Sequence, residues 1–313
     1  MNYIQNNIVN LYKPSGPSSF EMVQKVKHAL GAKKAGHIGT LDPLAEGILP
    51  IFLNRSTRII QFLPPQEKVY EAEMELGTST DTQDKTGKIL ETGDASRVTG
   101  EDIQLVLKEF SGEQKQIPPM YSAKKKNGIP LYKLARNGIT IDRKPVDIRV
   151  HSLDFIRKEG NRVQFEVRCS SGTYVRTLCH DIGERLGCRA HLYQLIRARV
   201  GLFDLETSLT LDALKTAKEN GRLSEKLFAI EEVLSFLPPV RIKKEHIRSV
   251  AHGAALLKSF LESIPGQFKP GMFFRATNGD ESVVAIVEPV INQDGFAELQ
   301  PEDTVFKLKR VLI

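Results

Sequence analysis

The clearest periodicity in the chain lies at residues 68–76, KVYEAEMEL, where Tyr70, Ala72, Met74 and Leu76 alternate with Glu71, Glu73 and Glu75. A period of two predicts a strand with one buried and one wet face. Further strands are predicted at 146–156, 163–169 and 191–201. Apolar runs at 8–11 and 48–53 read as short buried strands. Phe20, Val23, Val26 and Leu30 follow a helical spacing after Ser18-Ser19-Phe20-Glu21, which fits a capping box, and Gly31 ends that helix. Residues 57–63 predict a short helix closed by Pro64-Pro65, and 101–110 a second. Val175, Leu178, Ile182 and Leu186 form the stripe of another, stopped by Gly187. Helical patterns recur near 211–218 and 223–236, whereas the polar stretch 77–88 predicts a loop. Pro238-Pro239 marks a linker, and the glycine-rich, β-branched remainder predicts a small β-rich unit.

A chain of 313 residues suggests two domains, here 1–238 and 239–313, and 41% hydrophobic residues suffice for a sizeable core. The net charge of +6 favours a polyanionic partner. Segment 120–150 sharpens this: Lys124, Lys125, Lys126, Lys133, Arg136, Arg143, Lys144 and Arg149 oppose only Asp142 and Asp147. Its excess equals that of the whole chain. A charge run is usually a solvated face, but this concentration in a loop-rich segment favours phosphate-backbone contact. Cys169, Cys179 and Cys188 form no C-x-x-C pair, which argues against a disulfide framework and a zinc site. No leader and no membrane span is read from the sequence, so a reducing, cytoplasmic compartment is expected.

The candidate chemistry sits at 36–50, GHIGTLDPLAEGILP. Gly36 and Gly39 permit unusual backbone angles, and Pro43 pushes Asp42 out of the helical region. A carboxylate on a stiff loop, anchored to a buried strand, suits a positioned catalytic group; the plainer reading is a turn aspartate, since Asp-Pro is a common turn pair. Arg176 lies in a helix's first turn, where a cation opposes the helix dipole unless an anion answers it. The plainer reading is a solvated arginine, as that of Tyr70 is a core tyrosine. The stretch GAKKAGH imitates a phosphate-binding loop, but His37 and Ile38 stand where its lysine and hydroxyl belong, so nucleotide binding is rejected.

Six stretches occur in order: Lys13-Pro14-x-Gly16 with Ser18-Ser19; GHIGTLDPLAEGILP; Tyr70 with LGTSTDTQDKTG; IPPMYSAKKKNG with Tyr132 and Ala135-Arg136; CSSGTYVRTL; and HLYQLIRARVG. Together they resemble the TruB family of bacterial tRNA pseudouridine synthases, over most of residues 9–201. The guide-RNA-dependent relatives of dyskerin share the catalytic motifs but work with partner proteins. The resemblance implies an α+β pseudouridine synthase fold, a curved mostly antiparallel sheet flanked by helices, with a small C-terminal β-barrel of PUA type at 239–313. It implies isomerisation of uridine at tRNA position 55, in the T-arm loop, by base flipping, with no cofactor, no membrane and no obligatory protein partner. In the implied site, Asp42 is the key carboxylate, Tyr70 stacks on the base and Arg176 pairs with Asp42. Tyr174 and Leu195 line the pocket, His37 fills the space the base leaves, and Lys13, Lys124, Lys125, Lys126 and Arg136 contact RNA. Ile196 departs from the paired arginines of many relatives.

A redox-neutral isomerisation that removes no phosphate needs neither nicotinamide nor metal. It needs an ionised carboxylate near C1′ and an aromatic face for an unstacked base. A non-catalytic RNA-binding protein explains the basic segment but not a carboxylate among glycines, and a methyltransferase would need a glycine-rich cofactor loop.

Overall fold

The computed structural model describes residues 7–313; residues 1–6, on which the absence of a leader is partly read, lie outside the described residues. The chain runs β1 (Ile8–Lys13), α1 (Ser19–Leu30), β2 (Ala35–His37), β3 (Glu46–Leu53) and β4 (Lys68–Leu76). Next come β5 (Thr78–Thr80), β6 (Ile89–Thr92), α2 (Gly100–Glu109) and β7 (Gly112–Gln116). The basic segment holds β8 (Lys125–Lys126), β9 (Ile129–Pro130) and α3 (Leu131–Arg136). Then follow β10 (Val146–Glu159), β11 (Arg162–Cys169), α4 (Val175–Arg185), β12 (Ala190–Val200), β13 (Phe203–Asp204), α5 (Leu211–Glu219) and α6 (Ile230–Val233).

Nine of these strands form one sheet in the order β1-β3-β12-β4-β11-β10-β7, with β2 on β3 and β13 on β12. All its pairings are antiparallel except β12 with β3. The architecture is therefore the expected α+β one. The alternation of β4 is realised: Tyr70, Ala72, Met74 and Leu76 are buried in a cluster with Ile103 and Leu107 of α2 and Leu178 and Ile182 of α4. At the other end of the sheet, Met22, Val23, Val26 and Leu30 of α1 cover Leu49, Ile51 and Leu53 of β3. Each such buried aliphatic side chain contributes about 1.5–3 kcal/mol of transfer free energy. Ser18 and Glu21 close the capping box on α1, and Gly31 ends it at φ 66°.

Four local expectations change. Phe20 is 68% exposed, and Met22 takes its place on the buried stripe. The helix predicted at 57–63 is a 3-10 helix, Asn54–Phe62. The pattern at 223–236 breaks into a 3-10 turn at Leu223–Lys226 and the short α6. The polar stretch 77–88 contains β5, which pairs with β6 in a hairpin that backbone pairing, not side-chain periodicity, defines.

The C-terminal part comprises β14 (Pro239–Ile242), α7 (Ile247–Ala251), β15 (Leu256–Leu257), β16 (Leu261–Ser263), β17 (Phe274–Thr277), β18 (Val283–Pro289) and β19 (Thr304–Val311). Its six strands form a separate sheet, β15-β19-β18-β17-β14-β16, with its own apolar cluster. Pro239 opens β14 directly, so Pro238-Pro239 does not act as a free tether. A second cluster crosses between the two sheets, joining Ile8, Ile48, Phe52 and Ile59 to Val283, Ile286 and Leu312. Arg58 Nη1 also donates to the Val311 carbonyl at 3.0 Å, and the Val283 N–H donates to Glu231 at 3.0 Å.

Candidate active site

Asp42 sits on an irregular loop between β2 and β3, and the segment 13–19 buckles that loop in place. Ser19 Oγ accepts from the Leu41 N–H at 2.8 Å and donates to the Leu41 carbonyl at 2.9 Å. The Gly16 N–H donates to the Pro43 carbonyl at 2.8 Å, and Ser15 Oγ to that of Leu44 at 3.0 Å. Lys13 Nζ donates to the carbonyls of Pro14, Pro43 and Ala45 at 2.9, 3.1 and 2.6 Å. Burial lowers the Lys13 ammonium to about 8, against the pull of Glu46 and Asp42. This corrects the expectation that Lys13 contacts RNA. A fully buried side chain held by three carbonyls has no surface to offer a phosphate.

Arg176, in the first turn of α4, has a side chain only 4% exposed, which excludes the solvated reading. Its Nε lies 2.8 Å from Asp42 Oδ2. This is a close ion pair with the N–H off the line of the oxygen, not a two-point fork. The other two nitrogens are used elsewhere: Nη1 donates to the Thr82 carbonyl at 3.0 Å and Nη2 to that of Tyr121 at 2.8 Å. Asp84 Oδ2 stands 3.8 Å from Nη1 and supplies a second, buried carboxylate. Thr82 Oγ1, Thr86 Oγ1 and the Thr86 N–H all donate to Asp84 Oδ1, at 2.8, 2.6 and 2.9 Å.

The Asp42 side chain is 39% exposed on its open side and walled by protein on the others. Loss of water raises its pKa above the ordinary carboxylate value. Arg176 and Lys13 pull it down and Asp84 pushes it up, and desolvation prevails. The site thus holds a carboxylate that a guanidinium keeps usable in a partly dry cleft.

Tyr70 and Leu195 are buried in the same cluster as Leu41 and Ala45, the apolar residues that flank Asp42 in the loop. Burial pushes the Tyr70 phenol up to about 12, although Arg197 beside it acts the other way. The phenol stays protonated at neutral pH, so it offers a ring and a hydroxyl, not a phenolate base. Tyr174 caps α4 and is clasped by Gln116, whose Oε1 accepts from its N–H at 2.8 Å while Nε2 donates to its carbonyl at 3.0 Å. His37 ends β2, and its Nδ1 is buried without a hydrogen-bond partner. Burial first, and Arg197 second, lower its pKa. Its imidazole is therefore neutral, a shape and not a charge. Among the described residues no group of His, Cys, Asp and Glu could hold a metal ion, and all three cysteines are free and buried. Among the described residues, no helix is long and apolar enough to cross a membrane.

Comparison with known proteins gives the chain a family. Residues 27–175 match the model of the TruB family pseudouridylate synthase N-terminal domain, and residues 176–236 that of the tRNA pseudouridylate synthase B C-terminal domain. The tRNA pseudouridine synthase B of Pelotomaculum thermopropionicum is 41% identical over 288 residues, covering 90% of this chain and 91% of its own. That of Geobacter sulfurreducens is 39% identical, covering 93% and 94%. The chain belongs to the TruB family of pseudouridylate synthases. Among solved structures, one from a Cbf5-Nop10-Gar1 complex superposes with a TM-score of 0.74 at 31% identity, over 99% of this chain and 86% of its own. Another, from an H/ACA RNP bound to a substrate RNA, gives 0.73 at 29% identity over 99% and 86%.

Within this TruB-family fold, Asp42, Arg176, Tyr70, Tyr174 and Leu195 come together. Lys124, Lys125, Lys126 and Arg136 lie exposed on the basic segment. The Tyr121 carbonyl, which accepts from Arg176, links the basic segment to the site. Sequence reasoning missed three residues that build the site. Asp84 is hidden in a polar loop, although DTQDKT offers two carboxylates with flanking hydroxyls. Ser19 reads as part of a helix start and of a family stretch, with no link to Leu41. Arg197 reads as what remains beside Ile196 of a paired-arginine phosphate contact, yet among the described residues it is one of the largest fully buried side chains.

Proposed function

We propose that this chain isomerises uridine to pseudouridine in tRNA, at position 55 of the T-arm loop, with Asp42 as the carboxylate that acts on the nucleotide. The single observation that supports the assignment of Asp42 is its close pairing with the buried Arg176 in a cleft open on one side. The glycosidic C1′–N1 bond breaks, the uracil turns and C5 bonds to C1′, C5 giving up its proton and N1 taking one up. Positive charge builds at C1′ as the first bond breaks, and an ionised carboxylate answers it by attack or by field. Arg176 holds Asp42 ionised and aimed. The base leaves its stack at a cost of a few kcal/mol, part of which the Tyr70 ring and the Leu195 side chain return. The neutral His37 ring takes the vacated space in the RNA. The exposed Lys124, Lys125, Lys126 and Arg136 contact phosphates, and residues 239–313 form a second RNA-contacting unit beside a catalytic unit at 1–238.

The relatives named for tRNA modification support the substrate, and no protein partner is needed in this reading. The test is to mix the purified chain with unmodified tRNA carrying uridine tritiated at C5, with nothing else added. Release of one tritium per tRNA supports the proposal. Tight binding without release would leave an RNA-binding protein in its place.

A further inference from the structure

Arg197 is 0% exposed, and no carboxylate of the described residues forms an ion pair with it. Burying an unpaired guanidinium is costly, so its hydrogen bonds must be worth keeping. Nε donates to the Ile48 carbonyl at 2.8 Å and Nη2 to the Gly39 carbonyl at 2.7 Å. Those two carbonyls bracket the loop that carries Asp42. Arg197 also stands opposite Tyr70 in the β12–β4 register and opposite Gly47 in the parallel pairing of β12 with β3. Opposite residues on neighbouring strands project to the same face, so the guanidinium and the Tyr70 ring share one side of the sheet.

Two glycines fit the loop onto this arginine. Gly39 has φ +65°, and a Cβ there would meet Arg197 Nη1 at 3.1 Å. Gly47 has φ +98°, and a Cβ there would lie 2.3 Å from the Arg197 carbonyl oxygen. The loop backbone therefore rests directly on Arg197.

We propose that Arg197 is a positioning residue for the reaction, a brace that fixes the Asp42 loop at both ends and sets its distance from the Tyr70 ring. The proposal rests on the reading of Asp42 and Tyr70 given above. It differs from a purely structural role because the brace bears on the alignment of the two groups, and misplacement by about 1 Å can cost about 100-fold in rate.

The test compares Arg197→Lys, Arg197→Met and Gly39→Ala with the wild type. Gly39→Ala leaves the arginine in the core; its Cβ would press on Arg197 Nη1 at 3.1 Å and on Lys68 Cε at 3.3 Å, at a φ of +65° that alanine resists. Single-turnover isomerisation with saturating enzyme, tRNA affinity and melting temperature are measured for each. The single-turnover rate should fall on the order of 100-fold in Arg197→Met and about 10-fold in Arg197→Lys and Gly39→Ala, with tRNA affinity within about 3-fold. If Arg197→Met does not fold, Gly39→Ala and Arg197→Lys decide. Rates within about 3-fold of wild type in both, or rate and affinity falling together, overturn the proposal. An inactive wild type would instead remove the functional reading beneath it.

Discussion

Arg176 reaches Asp42 through Nε alone, 2.8 Å from Oδ2, and spends both remaining nitrogens on backbone carbonyls of two other segments. The guanidinium is thereby fixed by the loops at Thr82 and Tyr121 before it meets the carboxylate. It is a preorganised partner, not a flexible counter-ion. That explains how a cation is tolerated in the first turn of α4: one carboxylate at 2.8 Å and a second at 3.8 Å offset the unfavourable helix dipole.

Removing that partner should damage chemistry more than binding. Arg176→Ala should lose single-turnover rate by about 100-fold or more with a much smaller loss of tRNA affinity. Burial already raises the Asp42 pKa, and Arg176 opposes the rise. Without the guanidinium it should climb further, and the acid limb of the pH–rate profile should move upward with it. Arg176→Lys keeps the charge but cannot serve Asp42 and two carbonyls from fixed directions, so it should rescue only part of the rate. Near-normal single-turnover rates at every pH would remove the pairing from the mechanism.

Asp84 gives a shift of the opposite sign. Its negative charge raises the Asp42 pKa, so Asp84→Asn should move the acid limb downward. The asparagine oxygen can still accept from Thr82 and Thr86, which preserves the loop. The rate plateau should fall because Arg176 loses one of its two anchoring charges. A pH–rate profile of Asp84→Asn that shifts upward would contradict this arrangement of charges.

Lys13 and the lysines of the basic segment should separate cleanly. Lys13→Ala leaves three carbonyls without their donor, at about 1–3 kcal/mol for a buried unsatisfied group, so the melting temperature should drop. The slope of log K for tRNA against log salt should stay unchanged. Neutralising Lys124, Lys125 and Lys126 should do the reverse, leaving stability intact and flattening the slope by about 0.7–0.9 for each phosphate that is no longer neutralised. Salt titrations of both variants check this.

The C-terminal sheet should not detach without cost. Ending the chain after Pro238 strips Val283, Ile286 and Leu312 from the cluster they share with Ile8, Phe52 and Ile59. Lost burial of about 1.5–3 kcal/mol per large apolar side chain should lower the melting temperature and promote aggregation, as well as weaken tRNA binding. A truncated chain that melts like the full one would show that the shared cluster contributes little.

Much of the fold was legible because β4, β10 and β11 carry a period of two and α1 carries a capping box and a terminal glycine. These are local signals, and local signals survive in a sequence. The site was legible where glycine and proline punctuate it, around Asp42. What stayed hidden depends on partners far along the chain. Arg197 and Lys13 look like surface cations until the strands assemble around them. Ser19 reads as a cap residue until the Leu41 backbone comes against it, 22 residues away. The Pro238-Pro239 pair reads as a linker until the two sheets share a core.

The most direct measurement is tritium release from C5-labelled tRNA under single-turnover conditions, for the wild type beside Asp42→Asn. The substitution is nearly isosteric and sits on a loop held by Ser15, Gly16, Ser19 and Lys13, so folding and tRNA binding should survive it. The account predicts one tritium released per wild-type tRNA and none from the mutant complex, with similar affinities for both. Release by Asp42→Asn at the wild-type rate would contradict it, because the carboxylate around which the whole site is built would then play no part in the chemistry.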